Sequence, residues 1–240
     1  MNGNILVTKR DGRFEPFDLD KVHRVLEWAT DGIASVSISE IELKANIQLF
    51  NKIKADDIHE LLIKSAAELI CDHTPNYQYV AARLVNYKLR KMVYGGHQPV
   101  PLLDQIKTNI ERGVYDSAIL EKYTEEELAT LDSYIKHDRD ETFTFVAMEQ
   151  WRGKYLVQNR STKVVYETPQ FAYMLIAATL FADYPISGEK PRLTWVKEFY
   201  DAISLFYISL PTPIMAGLRT PTRQFSSCVL IESDDSLDSI

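Results

Sequence analysis

The chain is poor in cysteine: Cys71 and Cys228 are its only two, and they lie far apart among 240 residues. That excludes a disulfide framework, which needs several closely spaced cysteines, and leaves no Cys/His spacing for a metal, so none is expected. The opening Met1-Asn2-Gly3-Asn4 lacks the charged and apolar regions of a secretory leader, so the chain reads as cytoplasmic. The most apolar stretch, Phe171 to Phe181, is about two-thirds as long as a bilayer-spanning helix; it predicts a buried helix and no membrane span. Cations are also scarce, with 27 Lys plus Arg against 34 Asp plus Glu and a net charge of -7. Such a balance gives no general attraction to nucleic acid or anionic lipid, so any phosphate site has to be local. Neither Gly-x-x-x-x-Gly-Lys-Ser/Thr nor Gly-x-Gly-x-x-Gly occurs, and a nucleotide would need some other cradle.

What is present, 45% hydrophobic and 25% charged residues, is globular material for one large domain or two modest ones. Ile5 to Arg10 and Phe14 to Phe17 are strand-like runs joined through Asp11-Gly12, a hairpin signal. Asp18 offers an N-cap to a helix from Leu19 to Thr30 on the apolar stripe Val22, Val25, Leu26, Ala29, which Gly32 stops. Ser37 and Glu40 have capping-box spacing for a second helix to about Phe50. Ile58, Leu61, Leu62, Ala66 and Leu69 mark a third, and Tyr77, Val80, Ala81 and Leu84 begin a fourth after Pro75. Gly95-Gly96 and Gln98-Pro99-Val100-Pro101 form the best domain boundary, which places a first domain at 1–95. Another capping box at Thr124 to Glu127 and helical patterns over Glu125–Ile135, Pro169–Phe181 and Arg192–Phe206 make residues 96–222 mainly helical. The tail changes character: after Pro211, Pro213 and Pro221, Phe225 to Ile231 reads as a short buried strand.

The turn Val7 to Gly12 sets Lys9 and Arg10 beside Lys21 in the first turn of a helix, where open N–H groups favour anions. A solvated charged turn is the ordinary reading of such a cluster. Lys88, Arg90 and Lys91 equally suit a helix C-terminus, His59 among carboxylates suits a surface, and Cys71 continues an apolar pattern as a small buried hydrophobe. Cys228 follows a Pro-rich loop from which a side chain can line a cleft, although residue pattern alone favours a structural cysteine.

Taken in order, Val7-Thr8-Lys9-Arg10-Asp11-Gly12, Leu19-Asp20-Lys21, Asp57-Ile58-His59-Glu60 and Tyr77-Gln78-Tyr79-Val80-Ala81-Ala82-Arg83-Leu84 resemble an ATP-cone domain. Lys154 to Arg160, Leu210 to Met215 and Arg219 to Ile231 resemble the large subunit of class Ia ribonucleoside-diphosphate reductases. The resemblance covers the whole chain. It implies a mainly α (α+β) fold: a helical bundle with a small β cap, a helical domain over 96–222, and at 223–240 the first strand of a ten-stranded α/β barrel. It also implies an oxidoreductase that makes deoxyribonucleoside diphosphates for DNA synthesis, with ATP or dATP plus Mg2+ as allosteric effectors.

Carried over residue by residue, the activity site comprises Lys9, Arg10, Glu15, Pro16, Phe17, Asp18, Leu19, Asp20, Lys21, Ala55, His59 and Lys91. Ala55 departs from the hydroxyl residue frequent there, which removes a hydrogen bond of about 0.5–1.5 kcal/mol. Cys228 falls on a redox-active cysteine, Thr212 and Ser227 on substrate-binding positions, and Asp235, Ser236 and Leu237 on the start of the specificity site. The radical cysteine, the redox partner of Cys228 and the catalytic Asn and Glu of that family lie beyond Ile240. The chain alone is therefore expected to be catalytically incomplete, a truncated product or one piece of a split large subunit. Its implied partners are the rest of that subunit, a second copy, a radical-bearing small subunit that holds the metal cofactor, and thioredoxin or glutaredoxin. A free-standing nucleotide-sensing regulator and a non-binding remnant are the alternatives; the zinc ribbon of cone-bearing repressors is absent from this sequence.

Overall fold

The computed structural model describes residues 5–9, 11–46 and 48–239. The described part is mainly helical with one three-stranded sheet. The chain divides into two units, each made of two stretches of sequence: residues up to Pro101 with Tyr134–Phe171, and Leu102–Ser133 with Ala172 onward.

The first unit opens with the hairpin. β1 (Leu6–Thr8) and β2 (Phe14–Pro16) run antiparallel with Val7 opposite Glu15. Gly12 takes φ 84° in the turn, where the missing Cβ avoids a steric penalty. The other edge of β1 is filled by β3 (Ile53–Lys54) in parallel, giving the order β2-β1-β3. Asn51 fixes that junction by accepting the Leu6 N–H at 3.0 Å, and Lys52, at φ 66°, donates its own N–H to the Leu6 carbonyl.

Four helices cover this sheet's sequence neighbourhood. α1 (Leu19–Thr30) has the expected span because Asp18 accepts from the N–H groups of Asp20 and Lys21, a cap worth about 1 kcal/mol. α2 spans Ile38–Asn46 and ends before Phe50, the end expected, because the chain must turn there to reach β3. Its capping box is only half formed. Glu40 N–H meets Ser37 Oγ at 3.4 Å, but the Glu40 carboxylate accepts from the Tyr77 hydroxyl at 2.5 Å, and that hydroxyl accepts the Ser37 N–H at 2.9 Å. A buried tyrosine thus takes over the return bond and ties α2 to α4 (Tyr77–Tyr94). α3 spans Ala55–Ala67. Beyond it Cys71 is exposed, contrary to the buried position expected, since the helix has ended and its thiol meets Thr74 Oγ1 at 3.0 Å. Gly95, at φ 74°, closes α4 by donating to the Lys91 carbonyl.

Residues 134–171 complete the unit with a 3-10 turn (His137–Thr142), α8 (Phe145–Gln150), a π-helical turn (Trp151–Tyr155) and a bridge from Gln158 to Val165. Between them and α4 lies a buried polar cluster. Arg90 donates to the His137 carbonyl at 2.8 Å, the Gln170 amide to Asp140 Oδ1 at 2.8 Å, and the Tyr94 hydroxyl pairs with Thr168 Oγ1 at 2.6 Å. Burial pushes the Asp140 carboxyl up to about 7, against the hydrogen bond from Gln170 and the charge of Arg90.

The second unit contains α5 (Leu102–Glu111), α6 (Ala118–Lys122), α7 (Glu125–Tyr134, all but its last residue), most of α9 (Pro169–Leu180), α10 (Arg192–Ser204) and α11 (Thr212–Gly217). Here the capping box is complete: Thr124 N–H donates to Glu127 Oε2 and Glu127 N–H to Thr124 Oγ1. The same glutamate receives Arg192 at 2.6 and 3.0 Å, while Arg192 also donates to the carbonyls of Lys122 and Ala182. A nearly buried guanidinium is stable there because its donors are matched by acceptors. α9 is buried through Ala178, as its apolar run requires. The run Phe225 to Ile231 corrects the expectation of a buried strand: it is irregular and exposed, Leu230 completely so. A strand exists by pairing, and no described strand lies beside it.

A folded-state pKa raised above the ordinary Asp value means that this group's contribution to stability is full at low pH and is lost as pH rises toward 7. Asp140→Asn cannot ionise, so its stability relative to the parent chain should improve across that window by up to roughly 4 kcal/mol and level off above it. Denaturant midpoints at pH 5 and pH 8 measure this; an equal difference at both would show that Asp140 titrates normally.

Candidate functional site

The β1–β2 hairpin, α1, the start of α3 and the end of α4 enclose a cavity of about 370 Å³. Each element brings its residues for a local reason. Alternation along the hairpin turns Val7, Lys9 and Glu15 to the cavity, and the capped start of α1 brings Asp18, Lys21 and Val22. Spacing along the helix adds Arg24, Val25 and Trp28 one and two turns on. α3 contributes Ala55, Ile58, His59 and Leu62; α4 contributes Tyr87 and, one turn later, Lys91.

Electrostatically, the site is cationic with its own counter-charges. Lys9 Nζ lies 3.2 Å from Glu15 Oε2, and Lys21 Nζ is 3.8 Å from the same oxygen and 3.7 Å from Asp18 Oδ2. The N-cap of α3, Lys54, makes no side-chain capping bond. The N-terminus of a thirteen-residue helix, with its dipole and N–H donors, therefore opens at Ala55 beside those lysines. The aromatic wall is continuous: Trp28 and Tyr87 are 5.7 Å apart, His59 and Tyr87 5.5 Å, and Lys91 Nζ lies 4.7 Å above the Tyr87 ring. His97 backs this wall at 4.9 Å from Trp28 and 5.3 Å from Tyr87; its Nε2 is buried without a hydrogen-bond partner among the described residues. Burial, with Arg90 and Lys91 nearby, holds the His97 imidazole below its usual pKa. Lysines beside a helix N-terminus suit a polyanion and stacked rings suit a planar base, so the cavity is chemically matched to a nucleotide.

Nine of the residues expected at one site line this cavity: Lys9, Glu15, Pro16, Phe17, Asp18, Lys21, Ala55, His59 and Lys91. Leu19 instead lines a small neighbouring cleft with Phe17 and Leu49. Asp20 is exposed outside the lining, and Arg10 falls outside the described residues. In the second unit Thr212 begins α11, while Ser227 and Cys228 are exposed neighbours whose side chains lie 3.7 Å apart. None of the three lines that unit's cavity of about 260 Å³. Asp235 and Ser236 are exposed in a bend, and Leu237 starts a 3-10 turn. Trp28, Arg24 and Tyr87 escaped the sequence reading, although helical spacing from Lys21 and Lys91 points at each of them.

Residues 5–92, which hold the whole cavity lining, match the family described as ATP cone domain, and residues 141–223 match ribonucleotide reductase, all-alpha domain. The chain joins an ATP cone to a ribonucleotide reductase all-alpha domain. It is similar throughout to the N-terminal region of class Ia alpha subunits. Identity is 58% over the whole chain with ribonucleoside-diphosphate reductase 1 subunit alpha of Escherichia coli, and 47% over 98% of it with the subunit alpha of Enterobacteria phage T4. The corresponding Helicobacter pylori subunit is 33% identical over 98% of the chain. The chain spans 31%, 31% and 29% of the lengths of these three relatives.

Because His97, just beyond the ATP-cone match, has a depressed pKa, the folded state prefers it neutral, and its contribution to stability is lost as pH drops below the ordinary imidazole range. His97→Phe keeps the ring contacts and removes the unpartnered nitrogen. The variant should therefore gain stability over the parent chain at pH 5 relative to pH 8, as read by thermal unfolding followed through Trp fluorescence. A gain independent of pH would place His97 in water.

Proposed function

We propose that the ATP cone is an allosteric activity site for ATP and dATP, and that the chain serves the reduction of ribonucleoside diphosphates to deoxyribonucleoside diphosphates as the N-terminal part of an alpha subunit. One observation carries this reading: within the ATP-cone match, Lys9, Lys21 and Lys91 share a cavity with the uncapped start of α3 and with the rings of Trp28 and Tyr87. The triphosphate takes the cations and helix N–H groups, and the base takes the aromatic wall. A cavity of this size lies within the range of small-ligand sites. The described residues hold no cluster of three His, Cys, Asp or Glu that could hold a metal ion. Magnesium would accordingly arrive on the phosphates, which along with water supply most of its ligands.

The all-alpha match favours a reductase over a free-standing nucleotide-sensing regulator. In this reading residues 1–95 are the effector module, 96–222 the helical domain, and 223–240 the first strand of the catalytic barrel, paired once the rest of the alpha subunit is present. Cys228 then donates electrons: its thiol and that of a second cysteine outside this chain become a disulfide as the ribose 2'-hydroxyl leaves as water. Thioredoxin or glutaredoxin restores both thiols by exchange. Thr212 and Ser227 hold the substrate, and Asp235, Ser236 and Leu237 belong to the specificity site of an alpha homodimer. A separate small subunit supplies the metal-borne radical, and all of this takes place in the cytoplasm.

Calorimetric titration with ATP and dATP in the presence of magnesium should show saturable binding of both. Lys9→Ala and Lys91→Ala should each weaken it by about tenfold, which is about 1.4 kcal/mol, with an unchanged far-ultraviolet circular dichroism spectrum. A folded chain that binds neither nucleotide would overturn the effector reading.

A further inference from the structure

A further cavity of the first unit, of about 460 Å³, lies beside other faces of two helices that also line the candidate site, α3 and α4. Its lining includes Glu60, Lys88, Glu149 and Arg152 over a floor of Val85 and Leu89. Consecutive residues on a helix point about 100° apart, so α3 turns His59 to the effector cavity and Glu60 to this one; α4 does the same with Tyr87 and Lys88. A single oxygen, Glu60 Oε1, receives Lys88 Nζ at 2.5 Å and Arg152 Nη1 at 3.0 Å. Arg152 reaches on through Nη2 to Glu149 Oε2 at 2.8 Å. The other oxygen of that carboxylate, Glu149 Oε1, is buried without a hydrogen-bond partner among the described residues.

Arg152 is therefore held between two carboxylates, one of them half used. Glu60 and Lys88 lie in the ATP-cone match, whereas Glu149 and Arg152 lie in the all-alpha match, within the π turn and the end of α8. A guanidinium has a second good position open to it, a bidentate fork on Glu149 that uses the orphan oxygen. Any movement of α3 that draws Glu60 away exchanges the bridge for the fork. Resting on the effector reading above, we propose that Arg152 is a two-position switch: it bridges Glu60 and Glu149 in this state and closes on Glu149 alone when nucleotide in the effector cavity displaces α3. The two arrangements are discrete, as transmission between sites requires. Because Glu60 and Arg152 are partly exposed, removing their ion pair should leave the fold intact.

The test is hydrogen exchange of the full chain, read over residues 145–158, with and without saturating ATP or dATP, alongside calorimetric affinities. In the parent chain, bound nucleotide should alter exchange there several-fold. Glu60→Gln should bind nucleotide within about threefold of the parent affinity, yet show the nucleotide-bound exchange pattern without nucleotide. Glu149→Gln removes the charge that the fork needs, so it should keep the unliganded pattern in the presence of nucleotide; Arg152→Lys, which cannot form a fork, should do likewise. Nucleotide that binds without changing exchange at 145–158 would overturn the switch and leave the effector site standing. A nucleotide-free Glu60→Gln pattern identical to the parent's would overturn it too, as would a tenfold loss of affinity, which would make Glu60 part of the binding site. A parent chain that binds no nucleotide removes the effector reading itself, and the switch with it.

Discussion

Burial of α4 is the constraint on which the first unit depends. Tyr77, Val80, Ala81, Ala82, Leu84, Val85, Asn86, Leu89 and Arg90 are all buried, so this helix cannot turn about its axis without exposing apolar surface or stranding polar groups. That rigidity gives meaning to the polar groups that the helix presents. Tyr87 and Lys91 line the cavity below the hairpin, Lys88 meets Glu60, and Arg90 and Tyr94 lie in the buried polar cluster with residues 137–168. One helix thereby sets the geometry of three polar sites. Both side-chain polar atoms of Asn86 are buried without a partner among the described residues, a cost that the surrounding apolar packing has to offset.

The helices of the cone were legible because their ends carry chemistry that acts locally. Asp18 fixes the start of α1 and Gly95 the end of α4, and neither depends on the rest of the fold. What could not be read arises from contacts distant in sequence. β3 is two residues long and exists because β1 has a free edge for it. The Ser37 box is completed by Tyr77, forty residues away. The return of residues 134–171 to the first unit leaves no periodic trace, since it is specified by Asp140, Gln170 and Thr168, polar residues that in sequence look like surface. The apolar run at Phe225 reads as strand by composition, but composition cannot supply the partner that makes a strand.

The site was legible in a different way. Residue pattern alone supports nothing firmer than a charged turn at Lys9 and helix-terminal cations around Lys91; only resemblance grouped them. The structure adds a physical reason for the grouping, since β1, the start of α3 and the end of α4 meet around one cavity. Trp28 and Tyr87 were obscured because aromatic residues on an amphipathic helix ordinarily mark core, and only their placement beside lysines separates a stacking wall from a packing surface.

Counter-charge then shapes what the cavity can distinguish. Lys9 and Lys21 both hold Glu15, and Lys21 also meets Asp18. An arriving polyphosphate must take these cations from carboxylates, exchanging partly exposed ion pairs, each worth less than about 1 kcal/mol, for stronger charge-assisted hydrogen bonds. In the proposed effector site that exchange would be the same for ATP and dATP, which differ by one hydroxyl. Discrimination has to come from groups near the sugar. Ala55 offers only a methyl group at the helix entrance, so the polar candidates among the residues lining the cavity include the carboxylates freed from Lys9 and Lys21 and the His59 imidazole. If Glu15 or Asp18, once displaced by phosphate, turns to accept from a ribose hydroxyl, phosphate binding and sugar recognition become one coupled event. The acid side chains that oppose the phosphate would then be the ones that tell the two nucleotides apart.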